Sequence, residues 1–188
     1  MAWLLASGGG KPASAEEFVF GEARTEWRWL TEETRSAIAL HSPKAASWKA
    51  MRVHSTGTLV GDLEALEDYQ VRVRGLEEGL AWHFLIGNGQ GLSLGEIFIG
   101  PRWKKQLASG SAGAAEAISI CLVGDFNRTT VPRSQLEALD ELLEFLRARL
   151  GVIPVDIHLE GGRRPSPGER FPAAALRAAY GTPSKGSP

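Results

Sequence analysis

Leu136, Leu139, Leu143, Leu146 and Leu150 recur at spacings of three and four, which lays one apolar stripe along a helix predicted over about 132–150. Pro132 suits its opening and Gly151 its C-terminal stop. Thr31 to Leu40 reads as a shorter helix, with Thr31 as cap and Glu32 and Glu33 in the first turn. A third covers Asp62 to Arg72, and Phe171 to Tyr180 closes the chain with a fourth. Between these lie runs with a different rhythm. Lys49 to His54 reads as a strand, as do Glu96 to Ile99 and Val155 to His158. Trp82 to Ile86 and Ala117 to Val123 are continuously apolar, as strands buried on both faces are. Strands alternating with helices predict an α/β domain, a central sheet covered by helices.

Length and composition narrow the picture. The 188 residues suffice for one domain with a substantial core, expected over 16–180 between a flexible lead (1–15) and a flexible tail (181–188). With 21 basic and 22 acidic side chains the net charge is -1, and no basic patch interleaves with aromatics, so a nucleic-acid partner is not expected. No apolar stretch is long enough for a membrane span. Met1 to Ala6 is too short for a signal-peptide core, so no export signal is readable and the compartment stays open. The single cysteine, Cys121, excludes an intramolecular disulfide and reads as a small core hydrophobe.

Candidate chemistry rests on the four histidines. His54 and His158 each stand near the end of a predicted strand and before a turn-rich segment, a placement that suits a metal site at a sheet edge. Two half-exposed residues without a ligand role are the plain alternative. His83, between Trp82 and Phe84 in an apolar strand, reads as a structural histidine bonded to a backbone carbonyl. His41, beside a helix end, reads as a surface residue. Asp156 is two positions from His158 and shares its strand face, so it is either a carboxylate ligand or half of an ordinary salt bridge. Arg102, Trp103, Lys104 and Lys105 are expected to face solvent.

A series of motifs follows in order. His-Ser-Thr-Gly-Thr (54–58) precedes a helix and then Trp-His-Phe-Leu-Ile-Gly-Asn-Gly (82–89). Gly-Glu-Ile-Phe-Ile-Gly-Pro-Arg-Trp (95–103) and Ile-Ser-Ile-Cys-Leu-Val-Gly-Asp-Phe-Asn (118–127) come next. Asp-Ile-His (156–158) and Ser-Pro-Gly-Glu-Arg-Phe-Pro (166–172) complete the set. Over about 31–176 the chain resembles the zinc N-acetylmuramoyl-L-alanine amidases and peptidoglycan recognition proteins. The resemblance implies a central mixed β-sheet covered by helices, with peptidoglycan or muropeptide fragments as partners and a cell-envelope role. It places metal ligands on His54 and His158, and the third on Ser166, where the family usually carries cysteine or aspartate.

Zinc is held by thiolate, imidazole or carboxylate, and a serine hydroxyl stays protonated near neutral pH. Zinc is therefore expected to bind weakly or be absent, unless Asp156 substitutes. Serine at this position is the pattern of family members that bind without cleaving. Trp82 stands where the family often has a tyrosine assisting the reaction, and an indole N–H donates without exchanging a proton as a phenol does. Gln70 stands where the family's helix carries histidine, and Gly110-Ser111-Ala112 replaces a Gly-Ala-His segment. Arg164 keeps the positive charge that would stabilise an oxyanion. Three readings follow: a muropeptide-binding module with impaired catalysis, a working zinc amidase cleaving the lactyl–L-alanine bond, and a repurposed interaction domain.

Overall fold

A computed structural model of the chain describes residues 18–41, 48–111, 115–151, 154–157 and 166–181. The expected lead (1–15) and the tail from residue 182 onward lie outside these residues, as do His158 and Arg164. The elements run α1 (Glu32–Leu40), β1 (Ala50–Ser55), α2 (Leu63–Arg72), β2 (Phe84–Ile86), β3 (Ile97–Ile99), α3 (Pro101–Lys105), β4 (Ala117–Leu122), α4 (Arg133–Leu150), β5 (Val155–Ile157) and α5 (Ala173–Tyr180). Thr31 caps α1 through its side chain and Asp62 caps α2, accepting from Ala65 N–H at 2.8 Å.

The five strands form one mixed sheet in the order β3-β2-β4-β1-β5. All pairs are parallel except β2 with β3. β4 lies at the centre with all six residues buried, which explains its unbroken apolar run. Its even-numbered members Ile118, Ile120 and Leu122 join Met51, Val53, Phe84 and Ile86 in the larger core, under the leucine stripe of α4. Cys121 faces the other way and packs with Leu85, Trp82 and Leu66 of α2 in a smaller cluster. The sheet is thus covered on both faces, thickly by α4 and α5 and thinly by α2.

Buried polar groups tie the layers together. Gln135, at the start of α4, donates to the carbonyls of Ile86 and Val123 at 3.0 Å each, pinning the helix to the ends of β2 and β4. Farther along α4, Glu141 accepts three backbone N–H bonds, from Arg28 (3.0 Å), Trp29 (2.8 Å) and Leu30 (2.8 Å). Asp140 accepts from Gly21 N–H (2.9 Å) and Tyr180 hydroxyl (2.5 Å) and pairs with Arg24. These carboxylates hold residues 18–30, which have no regular secondary structure, across the helix. The sequence reading assigned no element there.

His83 is a structural histidine, as its setting suggested. Ser119 N–H donates to Nδ1 at 2.9 Å, so the proton sits on Nε2 and is donated to Leu107 carbonyl at 2.8 Å. Burial pushes its pKa down to about 4, against the opposing pull of the Leu107 bond. Cys121 is fully buried.

One expectation fails. Arg102 and Trp103 do not face solvent: Pro101 opens the short helix α3, which turns both inward. The Trp103 indole lies 4.9 Å from the Phe84 ring and donates to Ile38 carbonyl at 3.2 Å. Arg102 Nε donates to Leu80 carbonyl (2.8 Å), and another guanidinium nitrogen donates to Ala108 carbonyl (2.7 Å). A basic run read one residue at a time hides this, because a five-residue helix shows no period.

Two outcomes test this account. Glu141→Ala strands three backbone donors and is expected to cost about 2–3 kcal/mol in urea unfolding, with Glu141→Gln costing less. The neutral buried His83 makes the unfolded chain bind the extra proton below its usual pKa. Stability is therefore full above about pH 6.5 and falls as pH drops toward 4, by at most about 1.4 kcal/mol per unit. Unfolding midpoints across pH 4–7 should show that slope, and His83→Asn should flatten it.

Candidate functional site

The thin α2 cover leaves a cavity of about 860 Å³ against the sheet. Its position follows from strand alternation. In β1, Met51 and Val53 go to the α4 core, so Arg52 and His54 project toward α2. His54, paired in register with Cys121, stands at the C-terminal end of β1, lines the cavity and is 2% exposed.

The loop after β1 forms the adjoining wall. Thr56 N–H donates to Leu122 carbonyl (3.0 Å), and Gly124 N–H donates to Thr56 Oγ1 (3.1 Å), which fixes the loop to the end of β4. Thr58 Oγ1 lies 3.0 Å from Thr56 Oγ1, so both hydroxyls stand at the cavity mouth. Gly61 then lets α2 begin close to the sheet, since a Cβ there would fall 2.5 Å from Val123.

One face of α2 lines the cavity along its length through Leu66, Tyr69 and Gln70, with Asp62 before the helix and Arg74 after it. Trp82, only 7% exposed, and Ser111 line it as well. Ser166 reaches the same cavity from the C-terminal region. Gly168, at φ 130° and in tight contact with the Phe126 carbonyl group, lets the Ser166-Pro167-Gly168 turn lie against the loop after β4. Ser55 N–H donates to Ser166 Oγ at 3.1 Å.

Of the residues singled out from sequence, His54, Ser166 and Trp82 therefore meet in one cavity, together with Gln70 and Ser111. Asp156 does not line it. Its carboxylate is 3.3 Å from the Arg52 guanidinium, with Arg52 and Asp156 paired in register on neighbouring strands, which is the salt-bridge alternative. His158 and Arg164 lie outside the described residues. Tyr69, Asp62 and Arg74 were not singled out, although the spacing 62, 66, 70, 74 along one helix face carried the signal.

Of the three positions called as metal ligands, the described residues include only His54 and Ser166. Among the described residues no group of three His, Cys, Asp or Glu side chains comes together. Ser166 offers a neutral oxygen that already accepts a hydrogen bond, and the Asp156 carboxylate is paired with Arg52. What the cavity does offer is hydroxyls, an amide and an imidazole beside the aromatic faces of Trp82 and Tyr69. That mixture sets hydrogen-bonding groups beside apolar surface.

No protein-family model matches the sequence, and no curated protein matches it in sequence. Solved structures do match in three dimensions. Bumblebee PGRP-SA is 16% identical with a TM-score of 0.59, the match covering 73% of this chain and 86% of that one. The endolysin N-acetylmuramoyl-L-alanine amidase LysCS from Clostridium intestinale URNW is 22% identical, TM-score 0.55, covering 71% and 84%. Peptidoglycan recognition protein-LE, solved in complex with tracheal cytotoxin, a monomeric diaminopimelic acid-type peptidoglycan, is 16% identical, TM-score 0.56, covering 70% and 80%. The chain shares the fold of these peptidoglycan recognition proteins and amidases.

Proposed function

We propose that the cavity along α2 binds peptidoglycan fragments and that zinc catalysis in it is impaired. The observation that carries this reading is the state of Ser166. It occupies the cavity beside His54, but its oxygen is a hydroxyl accepting from Ser55 N–H, not a thiolate or carboxylate. Such an oxygen adds little to the hold on a metal, whereas the rest of the cavity keeps its capacity to bind. The Trp82 and Tyr69 rings offer apolar faces to sugar and peptide groups, and the Thr56, Thr58 and Ser111 hydroxyls offer hydrogen bonds. The shared fold with a recognition protein solved on a peptidoglycan monomer supports the same ligand class.

Calorimetric titration of chelator-stripped protein with a muramyl peptide is expected to give saturable binding. Trp82→Ala, which removes a buried aromatic wall, should weaken it by about tenfold or more. No binding of any peptidoglycan fragment would end this reading. In a parallel zinc titration, binding should be weak and little changed by His54→Ala. Tight stoichiometric zinc binding that vanishes in His54→Ala would establish a complete metal site and make a working amidase the better account.

A further inference from the structure

We infer that Gln135 is the deep contact of a second ligand site, at the head of α4, which takes an acetamido group. The inference does not rest on the peptidoglycan reading, because the chemistry of this second cavity alone names the ligand. The cavity measures about 400 Å³ and is lined by the loops that follow β1, β2 and β4. Leu59, Val60, Phe126 and Pro132 supply apolar walls, and Gln135 lines it from the first turn of α4.

The state of the Gln135 amide carries the inference. Its Nε2 spends both hydrogens, on Ile86 carbonyl and Val123 carbonyl at 3.0 Å each. The amide cannot turn over, since that would set Oε1 against two carbonyl oxygens. Oε1 is thus the one polar atom of the side chain not turned to a strand carbonyl. Among the described residues it has no hydrogen-bond partner, in a side chain that is 0% exposed. The carboxylate of Glu141, farther along the same helix, finds its donors: both oxygens accept backbone N–H groups. A buried acceptor without a donor is costly, so Gln135 selects a group that brings one.

The lining sets the rest of the ligand. Among the described residues around this cavity there is no Asp, Glu, Lys or Arg, so an ammonium donor would lose its hydration without a counter-charge. The donor is therefore neutral. Leu59 and Val60 stand 45% and 55% exposed, an apolar wall left in water that a methyl group would cover. Exposed Gln90 and Thr130 add a side-chain amide and a hydroxyl, donors for a ligand carbonyl. An acetamido group carries all three features, an N–H, a carbonyl and a methyl, on one planar frame. The walls are held in shape without it. Asn88 Nδ2 donates to Leu59 carbonyl at 2.9 Å, and Gly61 N–H donates to Gln90 carbonyl at 2.7 Å.

Titration of isotope-labelled protein with N-acetylglucosamine or N-acetylalanine methylamide, followed by NMR, reads the Gln135 side-chain N–H signals directly. Saturable shifts there and at residues 59–60 and 124–130 are expected with at least one probe, with a Kd on the order of 1 mM for so small a ligand. The probes carry the group on a sugar and on a peptide, and the tighter one names the carrier. Glucose and glucosamine, which lack the acetamido group, should bind at least about tenfold more weakly. Thr130→Trp, at an exposed position, should fill the cavity and abolish the shifts while the unfolding midpoint stays unchanged. No shift at Gln135 with either probe would overturn the inference and leave Oε1 to an ordered water. Equal binding of glucose, shifts confined to the cavity along α2, or binding that survives unchanged in Thr130→Trp would overturn it too. None of these outcomes bears on muropeptide binding in the cavity along α2.

Discussion

β4 has no solvent face, and the architecture follows from covering it on both sides. Six buried residues, paired in register with β1 on one side and β2 on the other, require a layer above the sheet and another below. The upper layer is complete: α4 lays five leucines across the strands, and α5 closes its end. The lower layer is not. α2 covers Cys121, Leu85 and Trp82 with a small cluster and leaves the remaining space open as the cavity. The site is a consequence of unequal packing on the two faces of one sheet.

Strand alternation then decides what faces that space. Because β1 gives Met51 and Val53 to the upper core, its intervening residues must point below, and His54 arrives in the cavity for the same reason that Val53 is buried. The row behind it is occupied by the Arg52–Asp156 pair, a structural use of charge one step down the strands. The cavity thus sets an imidazole beside a neutral hydroxyl. Its described residues do not assemble the ligand set of a catalytic metal.

The N-terminal segment shows a different economy of polar groups. Glu141 and Asp140 are almost fully buried on α4, a costly placement for carboxylates unless hydrogen bonds satisfy them. Backbone donors from residues 21 and 28–30, with the Tyr180 hydroxyl, do so. Burial pushes the Tyr180 hydroxyl up to about 12, so it remains a donor across the physiological range. A segment with no periodicity of its own is held in place by an adjoining helix.

Much of this was legible before any coordinates, where a local rule governs. The leucine spacing determined α4, the Thr31 cap determined the start of α1, and the unbroken apolar run of 117–123 determined a strand buried on both faces. The motif order pointed to the fold, and it singled out His54, Trp82 and Ser166, which the structure brings to one cavity. Tertiary structure decided the rest. Trp103 and Arg102 are buried because five residues of helix rotate them inward, a turn too short to leave a periodic signature. Asp156 pairs with Arg52 because strands β1 and β5, a hundred residues apart in sequence, are adjacent in register. Periodicity and capping act within a few residues and can be read along the chain, whereas charge pairing and burial depend on which distant segments the fold brings together.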